Sequence, residues 1–146
     1  GAGGLATSGG GGDGGSGGGI YSAGQVTVTD NSLVEGNATG AGAAGDAYDG
    51  IAGHGGGIYN DGGTVSLSGS TVSGNATDSS GGGIYSAGSL TLTGSTVRQN
   101  SAQDGGGISS SGAVTVTLGS VISNTAQLNG GGIYNTGDLT VEDSST

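Results

Sequence analysis

The sequence predicts an all-β fold: a right-handed parallel β-helix, or solenoid, of about five rungs with three short strands per rung. Three observations predict it. A Gly-Gly-Gly-Ile motif occurs five times, an alternating polar–apolar run follows each copy, and a Val-x-x-Asn motif follows four of these runs. Self-similarity at a period of 20–50 residues is typical of solenoids, and strict alternation is typical of half-buried strands.

The first strand of each rung begins at the isoleucine after the glycines. Aligned on this isoleucine, the copies are 38, 26, 24 and 25 residues apart. Side chains alternate along a strand, so the isoleucines should point inward and the following residues outward. The expected core ladder is Ile20, Ile58, Ile84, Ile108 and Ile133, and the expected outer stack is Tyr21, Tyr59, Tyr85 and Tyr134, interrupted by Ser109. The glycines allow positive φ at the corner and close approach of neighbouring rungs.

The second strand of each rung is the alternating run, at residues 25–29, 64–68, 89–93, 113–117 and 138–142. Its outward row is mostly threonine and serine: Thr27 and Thr29, Ser66 and Ser68, Thr91 and Thr93, Thr115 and Thr117, and Thr140 and Glu142. Stacked Thr-x-Thr rows resemble the ice-binding faces of antifreeze solenoids. Threonine is also a good exposed strand residue in general, and Ser66, Ser68 and Glu142 interrupt the regularity.

The third strand carries a valine three residues before an asparagine, in four units. The asparagines are Asn37, Asn75, Asn100 and Asn124, and we expect their amides to hydrogen-bond along the column as a ladder. The alternative is that each asparagine only favours a left-handed turn. Asn37 and Asn75 also begin Asn-Ala-Thr sequons, which makes them candidates for glycosylation, but a glycan and an inward ladder exclude each other.

Two segments depart from the period. Residues 17–146 form the predicted β-helix, and residues 40–54 lengthen the first spacing by about a dozen residues, so they are expected to leave the column as a loop. Residues 1–16 are glycine-rich and of low complexity, and are expected to be irregular unless a partner orders them.

Charge and composition limit the function classes. The chain has eleven acidic residues and only one lysine or arginine, Arg98. Neither nucleic acid nor an anionic membrane surface is therefore an expected partner. The apolar runs are too short for membrane insertion. Mixed titratable chemistry occurs only where His54 follows Asp46 and Asp49. A general acid–base pair is conceivable there, but a solvated loop histidine is the commoner case, so the sequence predicts that the chain is not an enzyme.

No cofactor is expected, with Ca²⁺ as the one candidate. Asp13, Asp78, Asp104 and Asn129 each come shortly before a glycine corner, and oxygen ligands on adjacent rungs would suit this cation. The nonapeptide calcium repeat is not met, because the apolar position is missing. Solvated turn carboxylates are the alternative reading.

The motif GGGI followed by VSGN at residues 72–75 resembles the GGAI and FxxN repeats of chlamydial polymorphic outer membrane proteins. Valine stands where that family has phenylalanine, and cysteines are absent. The resemblance implies a parallel β-helix displayed outside the cell or on its surface, often as an adhesin or autotransporter passenger.

The sequence stops inside the fifth rung, before a Val-x-x-Asn motif, and open ends of a solenoid expose unpaired edges and apolar core. We therefore expect a structural extracellular protein, the subunit of a filament or surface fibre built by end-to-end stacking, with residues 1–16 of one copy completing the last rung of another. The alternatives are a fragment of an adhesin or autotransporter passenger, and an ice-binding solenoid. The expected partners are copies of the chain itself or neighbouring repeats of a longer chain, with glycans as a further candidate.

Overall fold

The computed structural model describes residues 12–44, 49–143 and 145–146. Every regular element in these residues is a strand. The strands are β1 (Ile20–Ser22), β2 (Gln25–Val28), β3 (Leu33–Glu35), β4 (Ile58–Asn60), β5 (Thr64–Ser68), β6 (Thr71–Ser73), β7 (Ile84–Ser86), β8 (Ser89–Thr93), β9 (Thr96–Arg98), β10 (Ser101–Asp104), β11 (Ile108–Ser110), β12 (Val114–Thr117), β13 (Ser120–Ile122), β14 (Thr125–Asn129), β15 (Ile133–Asn135) and β16 (Leu139–Glu142).

All the strands pair in parallel, each with its equivalents in the rungs above and below, which confirms the predicted solenoid. The isoleucine strands form one sheet in the order β1-β4-β7-β11-β15, and the alternating runs form a second in the order β2-β5-β8-β12-β16. The valine strands form a third, β3-β6-β9-β13. The pairs follow the repeat exactly in register, with isoleucine on isoleucine from Ile20 to Ile133. The right hand of the coil stays a prediction, based on the strong preference of parallel crossovers.

The number of strands per rung differs from the prediction. A fourth strand, β10 or β14, follows the valine strand in the third and fourth rungs, and the two pair with each other. The fifth rung has only β15 and β16 among the described residues, so four rungs contribute to all three sheets. Ser145 and Thr146 nevertheless continue the column, because the Thr146 amide donates to the Gly119 carbonyl at 3.0 Å.

The core lies inside the coil and is densest in the middle rungs. Ile58, Ile84 and Ile108 are fully buried, as are the inward residues of β5 and β8 and the valines of β6 and β9. At the first rung Ile20 is only half-buried, and at the last rung Leu139 and Val141 are exposed. Burial is therefore complete only where a rung has neighbours on both sides, as expected for a repeat stacked in one dimension.

Each position of the Gly-Gly-Gly corner requires glycine for its own physical reason, as the third copy of the motif, Gly81 to Gly83, shows. Gly81 has φ +75°, a left-handed conformation that strains other residues. A Cβ on Gly82 would lie 2.4 Å from the carbonyl oxygens of both Gly106 and Ser101, so the rungs could not approach as they do. A Cβ on Gly83 would lie 2.6 Å from the Gly107 carbonyl oxygen and 2.9 Å from the side-chain nitrogen of Asn100, so this glycine makes room for both the next rung and the asparagine ladder.

The N-terminal segment and the insertion lie against each other in their described parts. The Gly14 amide donates to the Ile51 carbonyl at 2.8 Å, and the Gly40 amide donates to the Gly15 carbonyl at 3.3 Å. The His54 amide donates to Ser16 Oγ at 3.0 Å. Residues 12–16 therefore lie beside residues 50–54, with about the same separation of 38 residues that relates the first two isoleucines. The expectations for residues 1–11 and 45–48 lie outside the described residues.

The described residues contain no helix that is long and apolar enough to span a membrane.

Candidate functional site

Four tyrosines lie in one row on the outside of the first sheet. The register pairs Tyr21 with Tyr59, Tyr59 with Tyr85, Tyr85 with Ser109, and Ser109 with Tyr134. The rings of the first three stack, with centroids 5.3 Å and 5.2 Å apart and interplanar angles of 19° and 10°. This spacing follows the rung spacing of about 4.8 Å, so the backbone register sets the distance between the rings.

The stacked tyrosines have a polar neighbour in Asp61. The Tyr21 hydroxyl donates a hydrogen bond to Asp61 Oδ2 at 2.7 Å, and this bond raises the pKa of Tyr21 above its ordinary value. The pKa of Tyr59 is also raised, mainly by burial and then by the charge of Asp61. Both phenols are consequently neutral at any pH up to about 10.

His54, at the end of the insertion, lies beside the tyrosine stack. Its ring centroid is 4.8 Å from that of Tyr85 and 6.4 Å from that of Tyr59. Its Nδ1 lies 3.0 Å from Ser79 Oγ and accepts the Ser80 amide at 3.4 Å. An Nδ1 that accepts a hydrogen bond carries no proton, so the imidazole is the Nε2–H tautomer. Partial burial lowers the pKa of His54, which keeps the ring neutral.

The sequence did not point to Ser79 as the neighbour of His54. Of the two aspartates considered for acid–base chemistry, Asp46 lies outside the described residues and Asp49 is exposed. Ser79 is 9% exposed, and its amide donates to Thr77 Oγ1 at 3.0 Å, which fixes this turn. The contacts of His54 thus anchor the insertion to the next rung, and the absence of enzymatic activity stays a prediction.

The four asparagines of the predicted ladder form a continuous chain of hydrogen bonds. Asn37 Nδ2 donates to Asn75 Oδ1, Asn75 Nδ2 to Asn100 Oδ1, and Asn100 Nδ2 to Asn124 Oδ1, each at 3.0 Å. Each acceptor oxygen also takes the backbone amide of the preceding asparagine, at 2.9–3.0 Å. The second amide hydrogen of Asn100 goes to the Val72 carbonyl at 3.1 Å, so both hydrogens of its side-chain amide have partners.

This arrangement leaves Asn75 without a free amide nitrogen for a glycan. Asn75 is 1% exposed, and its Nδ2 donates to Val34 O at 2.9 Å as well as to Asn100. Attachment would require removal of the side chain from the corner. Asn37, on the first rung, is half-buried and also donates through Nδ2.

A second buried polar row was missed from the sequence. Asn60, Ser86 and Ser110 follow the outward residues of the first sheet and are at most 3% exposed. Asn60 Nδ2 donates to Ser86 Oγ at 2.9 Å and to the Gly63 carbonyl at 3.0 Å, whereas its Oδ1 has no hydrogen-bond partner. The only sequence signal was the recurrence of a small polar residue after Ile-Tyr.

Of the calcium candidates, the structure brings Asp104 and Asn129 into contact on adjacent rungs. Asp13 Oδ1 accepts the Ile51 amide at 2.8 Å, and Asp104 Oδ1 accepts Asn129 Nδ2, also at 2.8 Å. Ser80, and not Asp78, pairs with Asp104 on the neighbouring rung. The described residues hold no group of three or more acidic, histidine or cysteine side chains suited to a metal ion. Calcium binding by Asp13, Asp78 and Asp104 stays a prediction that titration with Ca²⁺ would test.

The outward hydroxyls of the second sheet stand in register. Thr27, Ser66, Thr91, Thr115 and Thr140 form one row, and Ser68, Thr93, Thr117 and Glu142 form the next. Ser66, Thr91 and Thr115 are half-buried, and Thr93 is exposed.

The C-terminal end of the column exposes apolar core. Leu139 is 47% exposed and Val141 is 53% exposed, although their equivalents Leu90 and Leu92 are buried. A cavity of about 130 Å³ opens there, lined by Val116, Val121, Gly132, Ile133, Val141, Ser145 and Thr146. In the lower rungs a third-strand valine lies above Val72 and Val97. The cavity lies beside Val121.

Comparisons of the chain with protein-family models, curated proteins and solved structures find no match.

Proposed function

We propose that the protein is a structural subunit of an extracellular filament or surface fibre, built by end-to-end stacking of solenoids. One observation carries the proposal: the parallel, in-register stacking of the three sheets, in which β15 and β16 are edge strands and Leu139 and Val141 are exposed, so that a further rung can stack on them. A second rung laid on this end would bury Leu139 and Val141. Because about half of each side chain is already buried, burial of the remainder of both contributes about 1.5–3 kcal/mol in total.

A second copy of the chain has the right geometry to supply that rung. Because the described strands are parallel and the three long sheets keep the register of the repeat, a second copy can continue the sheets from β15 and β16 by pairing through its β1 and β2. Such a contact joins two different surfaces, and contacts of this kind that do not close produce open filaments. The glycine-rich composition, with Arg98 and no lysine, is compatible with an extracellular fibre that offers few sites to trypsin-like proteases.

The test is electron microscopy and analytical ultracentrifugation of the purified chain and two variants. Val141→Asp places a charge on the open end and is expected to abolish filaments without unfolding the column. The matched control is Thr93→Asp, which adds the same charge on the exposed side of the second sheet and should leave filaments intact. Monomers at millimolar concentration in the wild type, or filaments unaffected by Val141→Asp, would refute end-to-end stacking.

The runner-up is a segment of an adhesin or autotransporter passenger, in which neighbouring repeats of a longer chain cover the open end. The repeat resemblance to chlamydial polymorphic outer membrane proteins supports it. This alternative predicts a monomer whose stability rises when further repeats are added in register.

The register of the outward hydroxyl rows favours a third candidate, ice binding. The rows are about 4.8 Å apart between rungs and about 7 Å apart along a strand. Thermal hysteresis that is lost in Thr91→Tyr would support it, and unaltered ice growth would exclude it.

A further inference from the structure

The row of outward tyrosines has one gap, at Ser109. Tyr85 and Tyr134 lie on either side of Ser109 in the register, two rungs apart, and therefore about 10 Å apart along the column. In the filled part of the row, neighbouring rings lie 5.2–5.3 Å apart. The gap therefore has the depth of one ring, with a tyrosine on each side at the stacking distance that the column sets.

A cavity occupies this gap. Its volume is about 160 Å³, and Tyr85 and Tyr134 both line it, together with Ser109, Ser111, Thr136 and His54. Cavities of about 150 Å³ hold one benzene-sized ring. Ser109 lies at the base and is 4% exposed, whereas Tyr85 is half-buried and Tyr134 is 38% exposed, so the cavity opens toward the outer face.

The residues that line the cavity indicate which kind of ligand ring would fit it. One face of Tyr85 stacks on Tyr59, so its other face is turned toward the gap, and the negative quadrupole of an aromatic face suits the C–H groups on the face of a sugar ring. Around the edge stand serine and threonine hydroxyls and the neutral imidazole of His54, and none of the described lining residues is a carboxylate or a cation. A charged ring would find no counter-charge among these lining residues, and an apolar aromatic ring would leave the hydroxyls unpaired, at a cost in affinity.

We infer that the gap at Ser109, between Tyr85 and Tyr134, is a binding slot for one neutral hexopyranose unit of a glycan. The two tyrosines hold the faces of the sugar, and the hydroxyls and His54 bind its edge. The slot lies on the side of the column, so its use does not depend on what covers the C-terminal end.

The experiment is calorimetric titration of the purified chain with neutral hexasaccharides of glucose in three linkages: cellohexaose, maltohexaose and laminarihexaose. At least one is expected to bind. Ser109→Tyr fills the slot with the residue that the other rungs carry, and should weaken that binding by at least about tenfold while the melting temperature is unchanged or higher. Tyr134→Ser, which removes one face, should also weaken it.

The matched control is Tyr21→Ser, which removes a tyrosine from the row at the other end and should leave sugar affinity unchanged. A parallel titration with p-cresol tests an aromatic side chain of a protein partner as the occupant. Binding of p-cresol without any sugar would overturn the assignment to a glycan. Absence of binding by every probe at 10 mM, or sugar binding that survives Ser109→Tyr, would overturn the slot itself.

Discussion

At the scale of single residues, Asn100 shows how a side chain substitutes for secondary structure at a corner. It is 1% exposed and accepts from the backbone and the side chain of Asn75, while its own amide donates to Asn124 and Val72. Removal of the side chain would leave these groups buried without partners, and each such group costs about 1–3 kcal/mol.

We expect Asn100→Ala to lower the free energy of unfolding by at least about 3 kcal/mol, because several partners lose their hydrogen bonds together. The measurement is denaturant unfolding. Asn129→Ala is the matched control: Asn129 is exposed, and its substitution should change stability by less than about 0.5 kcal/mol. Asn60 also lies outside the ladder, but it is fully buried and hydrogen-bonded, so it is unsuitable as a control. Equal effects of the two substitutions would contradict a stabilising ladder.

His54 makes stability depend on pH. Burial lowers its pKa in the folded state below the ordinary value of 6.5, so the unfolded chain binds a proton more readily. The contribution of the neutral ring is fully present above pH 6.5 and is lost as the pH falls from 6.5 through the folded-state pKa. The melting temperature of the wild type should therefore fall more between pH 7 and pH 5 than that of His54→Asn, whose amide oxygen can accept the same hydrogen bonds. An equal fall in the two melting temperatures would show that other groups determine the pH dependence of stability in this range.

At the scale of elements, the repeat explains why the sequence predicted so much. Isoleucine after three glycines, the alternating run and Val-x-x-Asn each recur at one position in every rung, so periodicity alone located β1 to β3 and their copies. The strands β10 and β14 were missed because Ser101–Asp104 and Thr125–Asn129 carry few apolar residues, and only their shared Ala-Gln pair marks them. The position of His54 beside Tyr85 depends on the path of the insertion, which no repeat specifies.

Two glycines of the third rung are required for different reasons: Gly82 by the close approach of the neighbouring rung, and Gly94 by its left-handed backbone conformation. Gly82 would place a Cβ 2.4 Å from two carbonyl oxygens, whereas Gly94 has open space around it and φ +56°. Gly94→Ala should cost only the left-handed strain of about 1–2 kcal/mol. Gly82→Ala must push the rungs apart and should lower the free energy of unfolding by more than about 4 kcal/mol. Losses of this size are exceptional and occur where a substitution disrupts the structure. Chemical denaturation of both variants checks this, and a larger loss for Gly94→Ala would contradict the account.

At the scale of the whole molecule, charge opposes the proposed stacking. The net charge is −10, with Asp138, Glu142 and Asp143 near one end of the column and Asp13, Asp30 and Glu35 near the other. Copies that approach end to end therefore repel each other through solvent.

We expect assembly to increase with ionic strength, because the Debye length falls from about 30 Å at 0.01 M to about 8 Å at 0.15 M salt. Light scattering during a salt titration measures it. Asp138→Asn together with Asp143→Asn should move the onset to lower salt, whereas Asp78→Asn, on the second rung, serves as the control. Assembly that weakens as salt is added would show that attraction between charges, and not apolar burial, drives association.

The parallel stacking of rungs also determines how the column responds to tension. Every hydrogen bond between rungs runs along the column axis, so a pull between the first and last rungs opens the bonds one after another, as in a zipper. Most rungs should lengthen the chain by roughly 80–90 Å as they detach, since about 25 residues become extended. The step between Ile20 and Ile58 spans 38 residues and should release about 130 Å. Single-molecule stretching should therefore show a low-force sawtooth in which the increases in length are nearly equal, except for one longer increase. The longer increase corresponds to the rung that carries the insertion.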